Sequence, residues 1–159
     1  DTSTLDLQQR AFARQVEWAK DLGRPVIIHA RKANQECLQV VRPAQDGRLR
    51  GIFHCFSGTL EEAEEMIDLG FMLGIGGTLT YPKSELPELL RVIPLAHIVL
   101  ETDAPYLSPV PYRGKRNESA YVRQVAEGLA AVKGVSLAEI GRVTTENALR
   151  MFGDGVPTA

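Results

Sequence analysis

This chain of 159 residues has few cysteines, no long apolar run and a small net charge. No apolar stretch approaches the roughly 20 residues needed to cross a bilayer, so no association with a membrane is expected. The first six residues have neither a basic start nor an apolar stretch and are not typical of a secretory signal. The formal net charge of −2 provides no general attraction for nucleic acid, so any contact with a polyanion has to be local.

Cysteine occurs only twice, as Cys37 and Cys55. The first lies in a helical pattern and the second at the end of an apolar run, contexts in which a thiol serves as a small apolar side chain. Two reduced thiols are therefore favoured over a disulfide, and a reducing cytoplasm is the expected compartment.

Short apolar runs alternate with helical patterns along the chain, in which 44% of the residues are hydrophobic. Most of these segments are separated by glycine or proline. A chain of this length can bury one sizeable core, so residues 1–159 are expected to form a single domain. The predicted strands are 25–29, 51–54, 71–75 and 97–101; the predicted helices are one around Phe12, then about 32–41, 60–69 and 84–93, and one on each side of Gly134.

Helix boundaries are marked by capping residues. Gly23 is predicted to end the first helix, and Pro43 is predicted to stop the second helix before it. Three helix starts show the spacing of a capping box. They are Ser3 with Asp6, Thr59 with Glu62, and Ser136 with Glu139.

Alternating strands and helices with apolar strands predict an α/β fold with a parallel sheet covered by helices. An open nucleotide-binding sheet would usually carry a glycine-rich loop after its first strand, but Ala30, Arg31 and Lys32 stand there. A parallel (β/α) barrel of the TIM type places catalytic residues at the carboxyl ends of several strands. The distribution of polar residues in this chain favours that barrel.

Three side chains that bind metals lie at predicted strand ends: His29, His54 and Asp103. Singly, each is more often a structural histidine or a capping aspartate. Together they converge on one point and predict a site for Zn²⁺, Mn²⁺ or Mg²⁺. Glu101 lies two residues before Asp103 and is expected on the same face, where it would orient a metal ligand or pair with a nearby Arg or Lys.

Basic residues are concentrated in the loop from Arg113 to Asn117, after the strand that precedes Asp103. Such a cluster is usually a solvated loop, but here it would lie at the mouth of the same pocket. Ser57 precedes a helix beside His54, and a helix N-terminus attracts anions. A metal site next to an anion site favours a phosphoester substrate.

Four segments then resemble the TatD-type metal-dependent deoxyribonucleases: 25–31, 54–58, 101–105 and 113–118. The resemblance implies a (β/α)₈ barrel and hydrolysis of DNA phosphodiester bonds by metal-activated water, often as a 3′–5′ exonuclease on single strands or 3′ ends. It implies two divalent ions, one bound by His29 and His54 and the other by the catalytic Asp103. The expected phosphate-binding residues are Arg31, Ser57, Arg113, Lys115, Arg116 and Asn117.

The chain departs from that family in two places, since the family's His-x-His pair and bridging glutamate have no counterpart here. It is therefore expected to be the C-terminal portion of a larger barrel, resembling the last four strand–helix units and the final helices. One metal ion or none would bind this chain alone, and the missing half or a pairing chain would cover an open apolar face. Two alternatives stay open: an aminoacyl-tRNA ester hydrolase with tRNA as substrate, and a non-catalytic truncated half-barrel.

Overall fold

Four parallel strands and six helices alternate in the computed structural model, which describes residues 3–153. The strands pair in chain order, β1-β2-β3-β4, and confirm the predicted parallel α/β sheet. The strands are β1 (Val26–His29), β2 (Gly51–His54), β3 (Phe71–Ile75) and β4 (Ile98–Leu100). The helices are α1 (Leu5–Asp21), α2 (Asn34–Ala44), α3 (Leu60–Asp68), α4 (Leu86–Val92), α5 (Val122–Lys133) and α6 (Leu137–Phe152).

One face of the sheet packs against the helices and forms the main core. Alternate strand residues, among them Ile28, Phe53, Leu73 and Ile98, are almost fully buried there. The rings of Phe53 and Phe71 meet edge to face, with centroids 5.2 Å apart. The side chains between these residues therefore point to the opposite face.

That opposite face carries a second apolar cluster and, at the strand ends, the candidate site. Ile52, Met72 and Val99 are buried there against Met151 from the last turn of α6. The expectation of an open apolar face is thus wrong for β2, β3 and β4, because the end of α6 packs over these side chains. It is right for β1, where Ile27 is 61% exposed.

Several helix ends have the capping residues that the sequence predicts. Thr59 and Glu62 form the predicted capping box at the start of α3, and the Ser136 hydroxyl accepts a hydrogen bond from the Glu139 N–H at the start of α6. Gly23, with φ +62°, follows the last residues of α1, and Gly134, with φ +66°, ends α5. The left-handed backbone at these two positions explains why glycine is there.

The predicted N-cap at Ser3 is one residue too early. Helix α1 has Thr4 as its N-cap, and the Thr4 side chain makes no capping hydrogen bond to the helix backbone. The Thr4 hydroxyl instead accepts a hydrogen bond from the Gln8 side-chain amide, 2.9 Å away.

The predicted stop before Pro43 is also wrong, since α2 continues through Pro43 to Ala44. In the last turn a proline removes only one intrahelical hydrogen bond. The Lys20 ammonium donates to the Ala44 carbonyl at 2.8 Å and so satisfies one carbonyl at the helix end. A contact from another helix therefore stabilises the end that the sequence pattern placed earlier.

Neither cysteine is in a disulfide, as predicted. Burial, and then the neighbouring Glu36, raise the pKa of the Cys37 thiol. Cys37 therefore behaves as a small apolar residue. No helix within residues 3–153 is both long and apolar enough to cross a membrane.

Candidate metal centre and substrate groove

His29 and His54 end β1 and β2 and are register partners in the parallel pairing. Their ring centroids lie 5.7 Å apart with a tilt of 34°. They share a sheet face because residues paired in register point the same way. The structure thus brings together the two histidines that the sequence proposed as ligands.

Glu101 and Asp103 approach the His54 ring from two sides. A Glu101 oxygen lies 2.8 Å from His54 Nδ1, and Asp103 Oδ1 lies 3.4 Å from His54 Nε2. Donation of the Nδ1 proton to Glu101 leaves the Nε2 lone pair directed toward Asp103. This tautomer is the one that presents Nε2 to a metal ion, and a carboxylate commonly holds a ligating histidine in this way.

Glu101 is held in place by the backbone around it. The Cys55 N–H donates to Glu101 Oε1 at 2.6 Å, and the Glu101 N–H donates to the Ile75 carbonyl at 3.1 Å. The carboxylate fills the space above Gly74, where a Cβ would lie 2.3 Å from its Oε2. Glycine at position 74 therefore leaves the room that Glu101 needs beside His54.

The donors at the strand ends fit a divalent ion in kind, although they make an incomplete set. Imidazole nitrogen and carboxylate oxygen suit Zn²⁺ and Mn²⁺, and His54 and Asp103 already meet at 3.4 Å. Within residues 3–153, no group of three or more His, Cys, Asp or Glu side chains is arranged to hold a metal ion. His29, His54 and Asp103 thus form a partial donor set.

A groove of about 770 Å³ opens in front of these donors, with His29 and Asp103 in its wall. Three cations line it: Arg31 and Lys32, which follow β1, and Lys83, which follows β3. Sequence reasoning proposed Arg31 and missed the two lysines. The signal for Lys83 was its position after a strand at the same edge of the sheet.

Backbone strain is concentrated at this groove. Lys32, Cys55 and Leu107 are the non-glycine residues with positive φ in the described part of the chain, at 54°, 49° and 53°. All three line the groove. Residues held in this region cost of order 1–3 kcal/mol each and cluster at functional sites.

The Cys55 thiol is not poised as a nucleophile. Burial raises its pKa above the usual range, and the carboxylates of Glu101 and Asp103 raise it further. A reactive cysteine needs the opposite, electropositive surroundings. The chemistry of the groove therefore depends on its histidines, carboxylates and cations.

Arg113 lies in a smaller cavity of about 530 Å³ next to the groove. Its guanidinium stacks over the Tyr81 ring at 4.4 Å, and Lys83 lines both cavities. Lys115 and Arg116 are exposed on the same loop. In the described part of the chain neither of them lines the groove or the smaller cavity.

Asn117 holds its own loop together and is not placed to bind phosphate. It is only 2% exposed. Its side-chain amide donates to the Tyr106 carbonyl at 2.6 Å, and its side-chain oxygen accepts from the Glu118 N–H at 2.9 Å. The prediction that Asn117 binds phosphate is therefore wrong, because both of its side-chain polar atoms bond to the backbone of its own loop.

Ser57 lines the groove, but the anion site expected beside it is already filled. The Thr59 N–H at the start of α3 donates to Glu62 Oε2 at 3.2 Å. The carboxylate of the capping box thus occupies the position that a phosphate would take, and it repels another anion. Phosphate binding at this helix end is disfavoured for that reason.

The parallel α/β fold, with histidine and aspartate donors at its strand ends, is that of the metal-dependent hydrolases. A family model described as TatD related DNase matches residues 1–153. The chain belongs to this family, which confirms the resemblance noted in the sequence.

Individual relatives agree with this assignment. The chain is 40% identical over 153 residues to the uncharacterized metal-dependent hydrolase YabD of Bacillus subtilis (strain 168), covering 96% of this chain and 60% of that protein. It is 36% identical to the 3'-5' ssDNA/RNA exonuclease TatD of Musicola paradisiaca (strain Ech703), covering 94% of this chain and 59% of that protein.

Solved structures share the fold. The crystal structure of YJJV, a TatD homologue from Escherichia coli K12, matches with a TM-score of 0.90 and 30% identity, over 99% of this chain and 60% of that one. A TatD family hydrolase from Entamoeba histolytica, at 23% identity, matches with a TM-score of 0.76 over 90% of this chain and 55% of that one. The chain thus spans less than two thirds of the length of these relatives.

Proposed function

We propose that this chain supplies part of the active centre of a divalent-metal-dependent phosphodiesterase that shortens single-stranded DNA from its 3′ end. The observation that carries the proposal is the Glu101–His54–Asp103 arrangement, whose Asp103 lies in the wall of a groove lined by cations. A metal ligand oriented by a carboxylate, beside a second carboxylate, is suited to hydrolysis.

Each side chain has a defined task in this proposal. Glu101 fixes the tautomer of His54, and His29 supplies a second imidazole. Asp103 orients the attacking water and accepts its proton. A divalent ion bound here would lower the pKa of water and offset the charge that builds on the phosphoryl oxygens.

The substrate class is supported by charge and by one relative. Arg31, Lys32 and Lys83 surround the groove, although the whole chain has a net charge of −2. Local cations of this kind bind a phosphate backbone. The Musicola relative is named a 3'-5' ssDNA/RNA exonuclease, which agrees with a single-stranded substrate.

The test uses single-stranded oligonucleotides labelled at either end, incubated in Mn²⁺, Mg²⁺ or Zn²⁺ with the complete protein whose active centre this chain helps to form. Mononucleotides should be released from the 3′ end. Asp103→Ala should abolish turnover while strand binding is largely kept, because Asp103 acts on the water rather than on the strand. His97→Gln is the matched control, since His97 precedes β4 at the opposite end of the sheet.

Other outcomes would contradict the proposal. Turnover by Asp103→Ala would refute the role of that residue. Preferred hydrolysis of charged tRNA in competition with DNA would favour the aminoacyl-tRNA ester hydrolase. Failure to bind Mn²⁺ or Zn²⁺ even at micromolar concentrations would favour a non-catalytic chain.

A further inference from the structure

Tyr106 is a large aromatic residue on the wall of the groove with its ring in solvent. It is 70% exposed and lines the same groove as His29 and Asp103. Exposure of a ring of this size leaves apolar surface in water that burial would stabilise. An aromatic ring kept at the mouth of a charged groove is therefore a candidate contact for substrate.

The other tyrosines of the chain have partners for their rings. Tyr112 and Tyr121 stack on each other with centroids 4.0 Å apart and an angle of 8° between the rings, and Arg113 covers Tyr81. Within residues 3–153, no ring or cation lies over Tyr106. The exposed part of its ring is therefore available to a planar ligand.

The backbone around Tyr106 is held firmly on both sides. The Tyr106 N–H donates to the Asp103 carbonyl at 2.6 Å, and its carbonyl accepts from the buried Asn117 amide at 2.6 Å. The next residue, Leu107, has φ +53°. Its carbonyl oxygen approaches Gly77 so closely that a Cβ there would lie 2.1 Å away. The loop thus holds the backbone from which the ring projects in one position, which lowers the part of the entropic cost of binding that comes from the backbone.

The chemistry around the ring identifies the ligand class. Arg31, Lys32 and Lys83 attract phosphates, while Asp103 and Glu85 keep the groove from being a uniform basic surface. A phosphate backbone combined with an aromatic platform is how proteins hold single strands without reading their sequence. A base attached to a phosphate near Asp103 would reach a ring that follows Asp103 by three residues.

We propose that Tyr106 is a stacking platform for one base of the single-stranded nucleic acid that the groove accepts. This inference rests on the proposed function and adds a binding contact to it.

The experiment measures the binding of each protein variant to two DNA oligonucleotides. Fluorescence anisotropy of the full chain is measured in EDTA, so that no strand is cut, with a 12-nucleotide DNA and with the same DNA made abasic over its 3′-terminal nucleotides. Tyr106→Ala should weaken binding of the normal strand about 5- to 100-fold and leave the abasic strand unchanged, since stacking contributes about that much per base. Tyr106→Phe should bind like wild type.

Arg31→Ala is the contrasting variant, because loss of a phosphate contact should weaken both strands equally and reduce the dependence on salt. The inference fails if Tyr106→Ala binds as wild type does, or loses both strands to the same extent. If wild type binds neither strand at low salt, the platform inference fails, whereas the proposed function is decided separately by the turnover assay with metal ions. A single-stranded RNA of the same sequence shows whether the platform accepts both sugars.

Discussion

Glu101 contacts two parts of the candidate centre at the same time. One of its oxygens faces His54 Nδ1 at 2.8 Å and accepts the Cys55 N–H at 2.6 Å, while the rest of the carboxylate fills the space above Gly74. Its place in the centre therefore depends on backbone as much as on side chains. Replacement of Glu101 therefore tests how the His54 ring is oriented, without removing a proposed metal ligand.

Glu101→Gln should lower the affinity for Mn²⁺ or Zn²⁺ about 10- to 100-fold, because the amide no longer holds the His54 tautomer by charge. Competition with a chelating dye measures this affinity. Glu85→Gln is the matched control. Glu85 also lines the groove, but it is not the carboxylate that contacts His54. Equal affinities for wild type and Glu101→Gln would show that Glu101 does not orient a metal ligand.

Sequence reasoning selected His29, His54 and Asp103 because they lie at predicted strand ends, and it added Glu101 because strand alternation places it on the same face as Asp103. It did not identify Tyr106, whose exposure depends on how the loop from 101 to 117 folds back. It also assigned Asn117 to phosphate binding. Whether a loop amide faces solvent or its own backbone is decided by contacts that no local pattern encodes.

At the level of elements, two threonines in the same cap position differ in their contacts. The Thr59 hydroxyl accepts from the Glu62 N–H at 3.3 Å in a complete capping box. Thr4 occupies the corresponding position of α1 without a capping hydrogen bond. Comparison of Thr4 with Thr59 therefore separates the contribution of the capping hydrogen bond to stability from that of threonine itself.

Thr59→Ala should lower the free energy of unfolding by about 1 kcal/mol, the usual loss when an N-cap hydrogen bond is removed. Thr4→Ala should lower it by less than about 0.5 kcal/mol, as expected for a surface change with no such bond. Urea denaturation of both variants measures the difference. Equal losses would show that the box at α3 adds nothing to stability.

The boundaries of strands β2 and β3 agreed with prediction, because glycine next to a short apolar run leaves little choice of where the strand begins or ends. Helix α2 ended later than predicted, since the contact of Lys20 with the Ala44 carbonyl comes from a distant segment. A local capping pattern predicts a helix end only when residues of that helix satisfy its terminal backbone groups. Tertiary contacts determine the other helix ends.

At the level of the whole molecule, the proposed metal site at the ends of three strands would link ion binding to the stability of the sheet. An ion that binds only the folded chain stabilises it by about 2.7 kcal/mol at a concentration one hundred times its Kd. For a chain of this size that should raise Tm by roughly 5–10 °C. Differential scanning fluorimetry with Mn²⁺ or Zn²⁺ measures the shift.

Addition of EDTA should return Tm to its starting value, and Asp103→Ala should show a much smaller shift than wild type. A rise in Tm of the same size in Asp103→Ala would mean that the ion binds elsewhere. A ligand-independent Tm in wild type would contradict a metal site in this chain.

The order of the strands also bears on how the chain folds during synthesis. Each of β2, β3 and β4 pairs with the strand made just before it. Each strand–helix unit can therefore add to an edge that is already formed, and folding can start early. The cluster of Ile52, Met72 and Val99 is an exception, because Met151 covers it from near the end of the chain. Until the ribosome has released α6, a nascent chain would expose this cluster, and this interval is when it would be most prone to aggregate or to need a chaperone.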